Sequence, residues 1–177
     1  MPAGAWSAAR EIRMQVKRTG GVMTRYALAL VCACFALAGE ARASDVAVHW
    51  KAGAFDDIKE QIVFAIENRG LVVNYTARVG AMLERTGGDI GAARSIYTNA
   101  EVIEFCSATV SRAMMEADPH NIVQCPHTIA VYVLARERER VYVSYRRFAT
   151  QVGTDATRRA MQQVEKLVAD IVREALK

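Results

Sequence analysis

The chain carries none of the short motifs that announce a common chemistry. Its densest glycine stretch, Gly87-Gly88-Asp89-Ile90-Gly91, lacks the G-x-G-x-x-G order of a dinucleotide loop and the lysine of a phosphate loop. A capped helix end and a turn explain it better. There is no C-x-x-C, no nucleophile-elbow serine and no H-E-x-x-H, which leaves dithiol oxidoreductase, serine hydrolase and zinc protease without their usual signatures. Asp56 and Asp57 are adjacent, and neighbouring helix positions point about 100° apart, so the two carboxylates do not face one substrate. With no acid–base or nucleophile–base pair to assemble, the sequence reads as non-catalytic. Internal repeats and low-complexity segments are absent too.

Excess charge of one sign is missing from most of the chain. The net charge of +4 looks basic. Residues 1–43, however, hold six of the 23 Lys and Arg and two of the 19 Asp and Glu, which leaves 17 of each in residues 44–177. A neutral body has no electrostatic footprint for nucleic acid, so that partner class is dropped. The basic segment contains Arg10, Arg13, Lys17, Arg18 and Arg25, and is followed by the apolar run Tyr26–Gly39 and by Ala41-Arg42-Ala43. Those are the three parts of a secretory signal peptide cleaved after Ala43, which predicts an exported, periplasmic protein. The apolar run is 14 residues, short of the about 20 that cross a bilayer. No later stretch qualifies as a span. Translation from Met23 would give a leader of ordinary length, with residues 1–22 a misassigned extension.

What remains, residues 44–177, is one domain with enough chain for a single core. Ser44–Trp50 alternates and predicts a first strand with Val46, Val48 and Trp50 buried and His49 outward and solvated. Phe55–Arg69 has apolar residues three and four apart, acidic first turns and Gly70 at its end, hence a helix. Leu71–Thr76 follows as a strand, then a short helix over Arg78–Thr86 ended by Gly87-Gly88, with a second short helix or a loop over Asp89–Ser95. Tyr97–Cys106 predicts a strand with Ile103 and Phe105 on one face and Val102 on the other. Ser107 stands at the N-cap of a helix that Asp118-Pro119 stops, with Met114 and Met115 as core filler. Thr128–Ala135 and Val141–Arg147 form a hairpin about the solvated turn Arg136–Arg140, with Val141 and Val143 inward and Tyr142 on the other side. A final helix, capped by Thr154 or Asp155, has an apolar stripe through Ala160, Met161, Val164, Leu167, Val168, Ile171, Val172 and Ala175.

Chemistry concentrates on few atoms. Cys32 and Cys34 leave with the leader, and an even pair, Cys106 and Cys125, remains. In an exported chain such a pair favours a disulfide, and free buried thiols or a metal site stay open as alternatives. Cys106 lies just before a helix, where backbone N–H groups lower a thiol's pKa. Cys125 and His127 are two apart and share a strand face, with His120 near in sequence, so Cys106, Cys125 and His127 are the candidate ligands for zinc, copper or haem iron. Arg146 and Arg147, beside Tyr145 and Phe148, offer an anion site. The plainer reading is an edge strand guarded by charge.

Several of these segments together resemble the domain-of-unknown-function family 302. They are the Phe55–Gly70 helix with Ala65-Ile66, Gly70-Leu71-Val72-Val73, Glu104-Phe105-Cys106, Asp118-Pro119, Cys125-Pro126 and Val131-Tyr132, within about residues 46–148. The resemblance implies an α+β fold of the TATA-box-binding-protein-like type, a curved antiparallel sheet with helices on one face, and a homodimer. It implies no established reaction, and cofactor and small ligand stay open. A non-catalytic periplasmic binding or interaction module is therefore the expected function, and a redox or metal/haem-binding protein is the alternative.

Overall fold

A computed structural model of the chain describes residues 45–177 apart from 93, 149 and 152. The expected leader and its cleavage point after Ala43 lie outside the described residues. Apolar spacing of three and four makes helix α1 (Phe55–Glu67), which buries Ile58, Ile62, Ala65 and Ile66. Asp56 and Asp57 sit in its first turn, where carboxylates favour the positive end of the helix dipole. Gly70 ends the segment at φ 70°, a left-handed conformation that suits a residue with no Cβ.

Five strands, β1 (Val46–Lys51), β2 (Val72–Ala77), β3 (Tyr97–Cys106), β4 (His127–Leu134) and β5 (Val141–Arg146), form one sheet in the order β1-β5-β4-β3-β2. Every neighbouring pair is antiparallel. Helices pack on one side: α1, α3 (Ala108–Ala117) and the long α4 (Asp155–Ala175). This is the expected α+β architecture. The core lies between Ile103, Phe105, Ile129, Val131, Val141 and Val143 of the sheet and Ile62, Ile66, Met114, Val164, Val168 and Ile171 of the helices. The Thr154 hydroxyl accepts the Thr157 N–H at 3.2 Å and so caps α4. Its 21 residues give about 32 Å at 1.5 Å per residue, enough to cross the sheet.

Three expectations need correcting. The inner face of β1 is the reverse of that expected: Ala47 is buried, whereas Val48 and Trp50 are 53% and 54% exposed and Val46 is exposed with them. The cause is register, because Val48 pairs with Ser144 and Trp50 with Tyr142, both on the side of β5 opposite the buried Val141 and Val143. β5 is not an edge strand, since it lies between β1 and β4, and the edges are β1 and β2. The short helix α2 (Val79–Gly87) runs through Gly87 into a tight turn over Gly88–Ile90, and the left-handed residue is Gly91. Gly80 of α2 sits so close to β3 that a Cβ would come within 2.9 Å of the Ala100 nitrogen.

Candidate functional site

The two cysteines meet at the neck of one excursion from the sheet. β3 ends at Cys106, and the Ser107 hydroxyl accepts the Val110 N–H at 3.4 Å to start α3. Asp118 closes α3 and accepts the His120 N–H at 2.9 Å, and Pro119 opens a tight turn over Pro119–Gln124. Cys125 then leads back, through a cis bond to Pro126, into β4, where His127 pairs with Phe105. Antiparallel pairing thus returns the chain to its point of departure. The sulfurs lie 2.8 Å apart and both residues are half-buried. The Ser111 hydroxyl is 3.6 Å from the Cys125 sulfur.

The structure holds this pair as free thiols, so the expected cross-link is not formed in it. Nor is Cys106 activated by the helix that follows. Burial first, and then its hydrogen bond with Cys125, push its thiol up to about 11, against a smaller opposing bond from the His127 backbone. In the first turn of that helix the Val110 N–H goes to the Ser107 hydroxyl.

His127 is 1% exposed, with its ring edge-on to Phe105 and Phe148 at 5.8 Å each. Its Nδ1 faces the Gln124 carbonyl at 3.2 Å, which can only accept, so Nδ1 carries the proton and Nε2 is a bare lone pair. Nε2 is buried with no hydrogen-bond partner. Burial lowers the pKa of this imidazole, opposed in part by the Gln124 bond, and the ring is held neutral. Among the described residues no group of three or more His, Cys, Asp or Glu is arranged to hold a metal ion. Cys106, Cys125 and His127 therefore meet as a thiol pair beside a packed histidine, not as a three-point ligand set. His120 is exposed, and His49 is exposed with its ring stacked on Tyr145.

Arg146 and Arg147 part company. Arg146 follows the buried Tyr145 and so lies on the helix-free side of β5, whereas the Arg147 guanidinium is 3.8 Å from Glu165 of α4. They do not form one anion site. A cleft where α2 meets β3, lined by Arg78, Glu84, Asn99 and Arg138, has no buried unpartnered side chain.

A surface that sequence reasoning missed is the helix-free face of the sheet. It presents Val48 and Trp50 from β1, Val72 and Tyr75 from β2, and a ladder of Tyr97, Tyr132 and Tyr142. Tyr132 and Tyr142 stack at 5.3 Å, and the Arg140 guanidinium lies 4.5 Å over the Trp50 ring. The signal was present in the apolar residues on both alternating faces of these strands, together with helices enough to cover only one.

The model of DUF302, a domain of unknown function, matches residues 46–176. The chain belongs to this family. The match takes in α4 and so extends beyond residues 46–148. A crystal structure of an uncharacterized conserved DUF302 protein from Bacillus stearothermophilus superposes with a TM-score of 0.63 at 15% identity, over 76% of this chain and 100% of that one. At that identity the likeness speaks for the DUF302 fold alone. A search of curated proteins finds no match. Among the described residues no helix is long and apolar enough to cross a membrane.

Proposed function

We propose that the chain is a non-catalytic interaction module, exported to the periplasm and paired as a homodimer through the helix-free face of its sheet. The observation that carries this reading is the exposure of that face, where Trp50, Tyr75 and Val72 are 54%, 60% and 68% exposed. Exposed apolar side chains at both edges of one sheet face, with the stacked Tyr132 and Tyr142 between them, support a docking site there. The leader pattern in residues 1–43 supports export.

A second copy is the occupant that the face itself favours. Glu104 of β3 pairs with Thr128 of β4, and the β4–β5 register of Ala130 with Ser144 brings Arg146 to the same level on the other side of β4. Two sheets stack about 10 Å apart. A two-fold axis along β4 lays β5 of one copy over β3 of the other, so Arg146 meets the partner's Glu104 and the reverse. The same rotation sets Val48 over the partner's Ala77 and Ser144 over the partner's Val102, a small side chain against a larger one each time.

Light scattering of the full chain over a micromolar concentration series tests the pairing. A dimer mass is expected. Arg146→Glu and Glu104→Arg should each weaken association by about tenfold, and the double exchange should restore it. A monomer at every concentration overturns the dimer, and a double exchange no better than the singles overturns the axis along β4. Export is read from the first residue of protein purified from cells, expected to be Ser44.

A further inference from the structure

We propose that Cys106 and Cys125 form a reversible oxidation site, which a small-molecule disulfide of the glutathione class converts into an internal cross-link. The site does not depend on how copies pair. It rests on the neck geometry: β3 and β4 are neighbours, Phe105 faces His127 across them, and beyond that pair Cys106, one residue on, and Cys125, two residues back, bring their sulfurs to 2.8 Å. Both are half-buried, so an oxidant reaches the pair while the folded chain holds the two sulfurs together.

The order of attack follows from the surroundings. Burial and the hydrogen bond to Cys125 hold the proton on Cys106, whose thiol stands at about 11. Cys125, with the Ser111 hydroxyl 3.6 Å away to donate to a developing thiolate, makes the first attack. A bond forms between the Cys125 sulfur and one sulfur of the oxidant. The oxidant's own S–S bond breaks, and one thiol leaves with the proton that Cys125 gave up. Cys106 then loses its proton and attacks the Cys125 sulfur beside it, expelling the second thiol, which takes that proton. Two protein thiols lose two electrons, and the oxidant disulfide becomes two thiols. The cross-link ties together both ends of the segment that carries α3, whose Met114 is fully buried in the core.

Trypsin reads the result directly, because Arg112 lies between the two cysteines and separates residues 95–112 from residues 113–136. The full chain is incubated with glutathione disulfide, alkylated with iodoacetamide, digested and weighed. The two peptides should appear joined, and dithiothreitol should part them. Peptides that stay separate with both sulfurs alkylated overturn the proposal, as do cross-links that run to Cys32 or Cys34 instead. In single variants the mixed disulfide with glutathione should form faster on Cys125 of Cys106→Ser, which keeps the Ser111 hydroxyl beside it, than on Cys106 of Cys125→Ser, which keeps its burial. Equal rates, or the opposite order, overturn the assignment of Cys125 as first attacker.

Discussion

The two faces of the sheet both carry large apolar residues, and these live in opposite environments. On the inner face Ile103, Phe105, Ile129, Val131 and Val143 are fully buried under α1 and α4. On the other face Val48, Trp50, Val72 and Tyr75 are each more than half exposed. Alternation along a strand creates both rows with the same period, so hydrophobicity alone does not say which row is the core. What decides it is the supply of helices, because α1, α3 and α4 pack on one side. A second row of apolar side chains is left facing outward.

The comparison breaks most visibly at its centre. Phe105 has no exposed surface, and it packs with Ile103 and edge-on against His127. Phe105→Ala removes a ring that nothing nearby can replace and should destabilise the fold by about 3–5 kcal/mol, seen as a lower urea midpoint at unchanged slope. A loss below about 1 kcal/mol would mean that the inner row is no more a core than the outer one.

His127 sharpens the same contrast through pH. Its imidazole is buried and neutral, with a bare Nε2, and its pKa in the fold is depressed below the ordinary 6.5. As pH falls below that value the unfolded chain takes up a proton that the folded chain refuses. Stability contributed by neutral burial is therefore full above 6.5 and declines as pH falls toward the lower folded value. The slope cannot exceed about 1.4 kcal/mol per pH unit for one group. Urea titrations from pH 8 to about 5 should show the decline, and His127→Phe should flatten it.

Much of this fold was legible in the chain, because local signals and tertiary packing agree. Ile58, Ile62 and Ile66 mark α1, Ser107 and Asp118-Pro119 bracket α3, and β3 runs from Tyr97 to Cys106 as its composition implied. The meeting of Cys106 and Cys125 follows from the antiparallel pairing of β3 with β4, a partnership between strands distant in sequence. Three features were not legible, each for a reason of partnership. The inner side of β1 is set by pairing with β5, which its own alternation cannot name. The thiol chemistry of Cys106 depends on burial and on Cys125, 19 residues away, not on the helix next door. Arg146 and Arg147 are neighbours in sequence, yet Glu165 of α4 draws off only the second.

The smallest effect belongs to the open face, and it makes the sharpest use of the contrast. Trp50 is the largest side chain on β1, and in the single chain its ring meets the Arg140 guanidinium, with much of its surface in water. An exposed cation–π contact contributes about 0.5–1 kcal/mol. Trp50→Ser should therefore shift the urea midpoint only slightly at protein concentrations low enough to keep copies apart. At high concentration the wild-type midpoint should climb, because pairing stabilises the folded state by mass action, and the variant's should not. Equal concentration dependence in the two proteins would detach Trp50 from assembly and leave the exposed row as ordinary surface. A large loss at low concentration would instead place Trp50 among the residues that hold the fold, and the two faces would no longer be opposites.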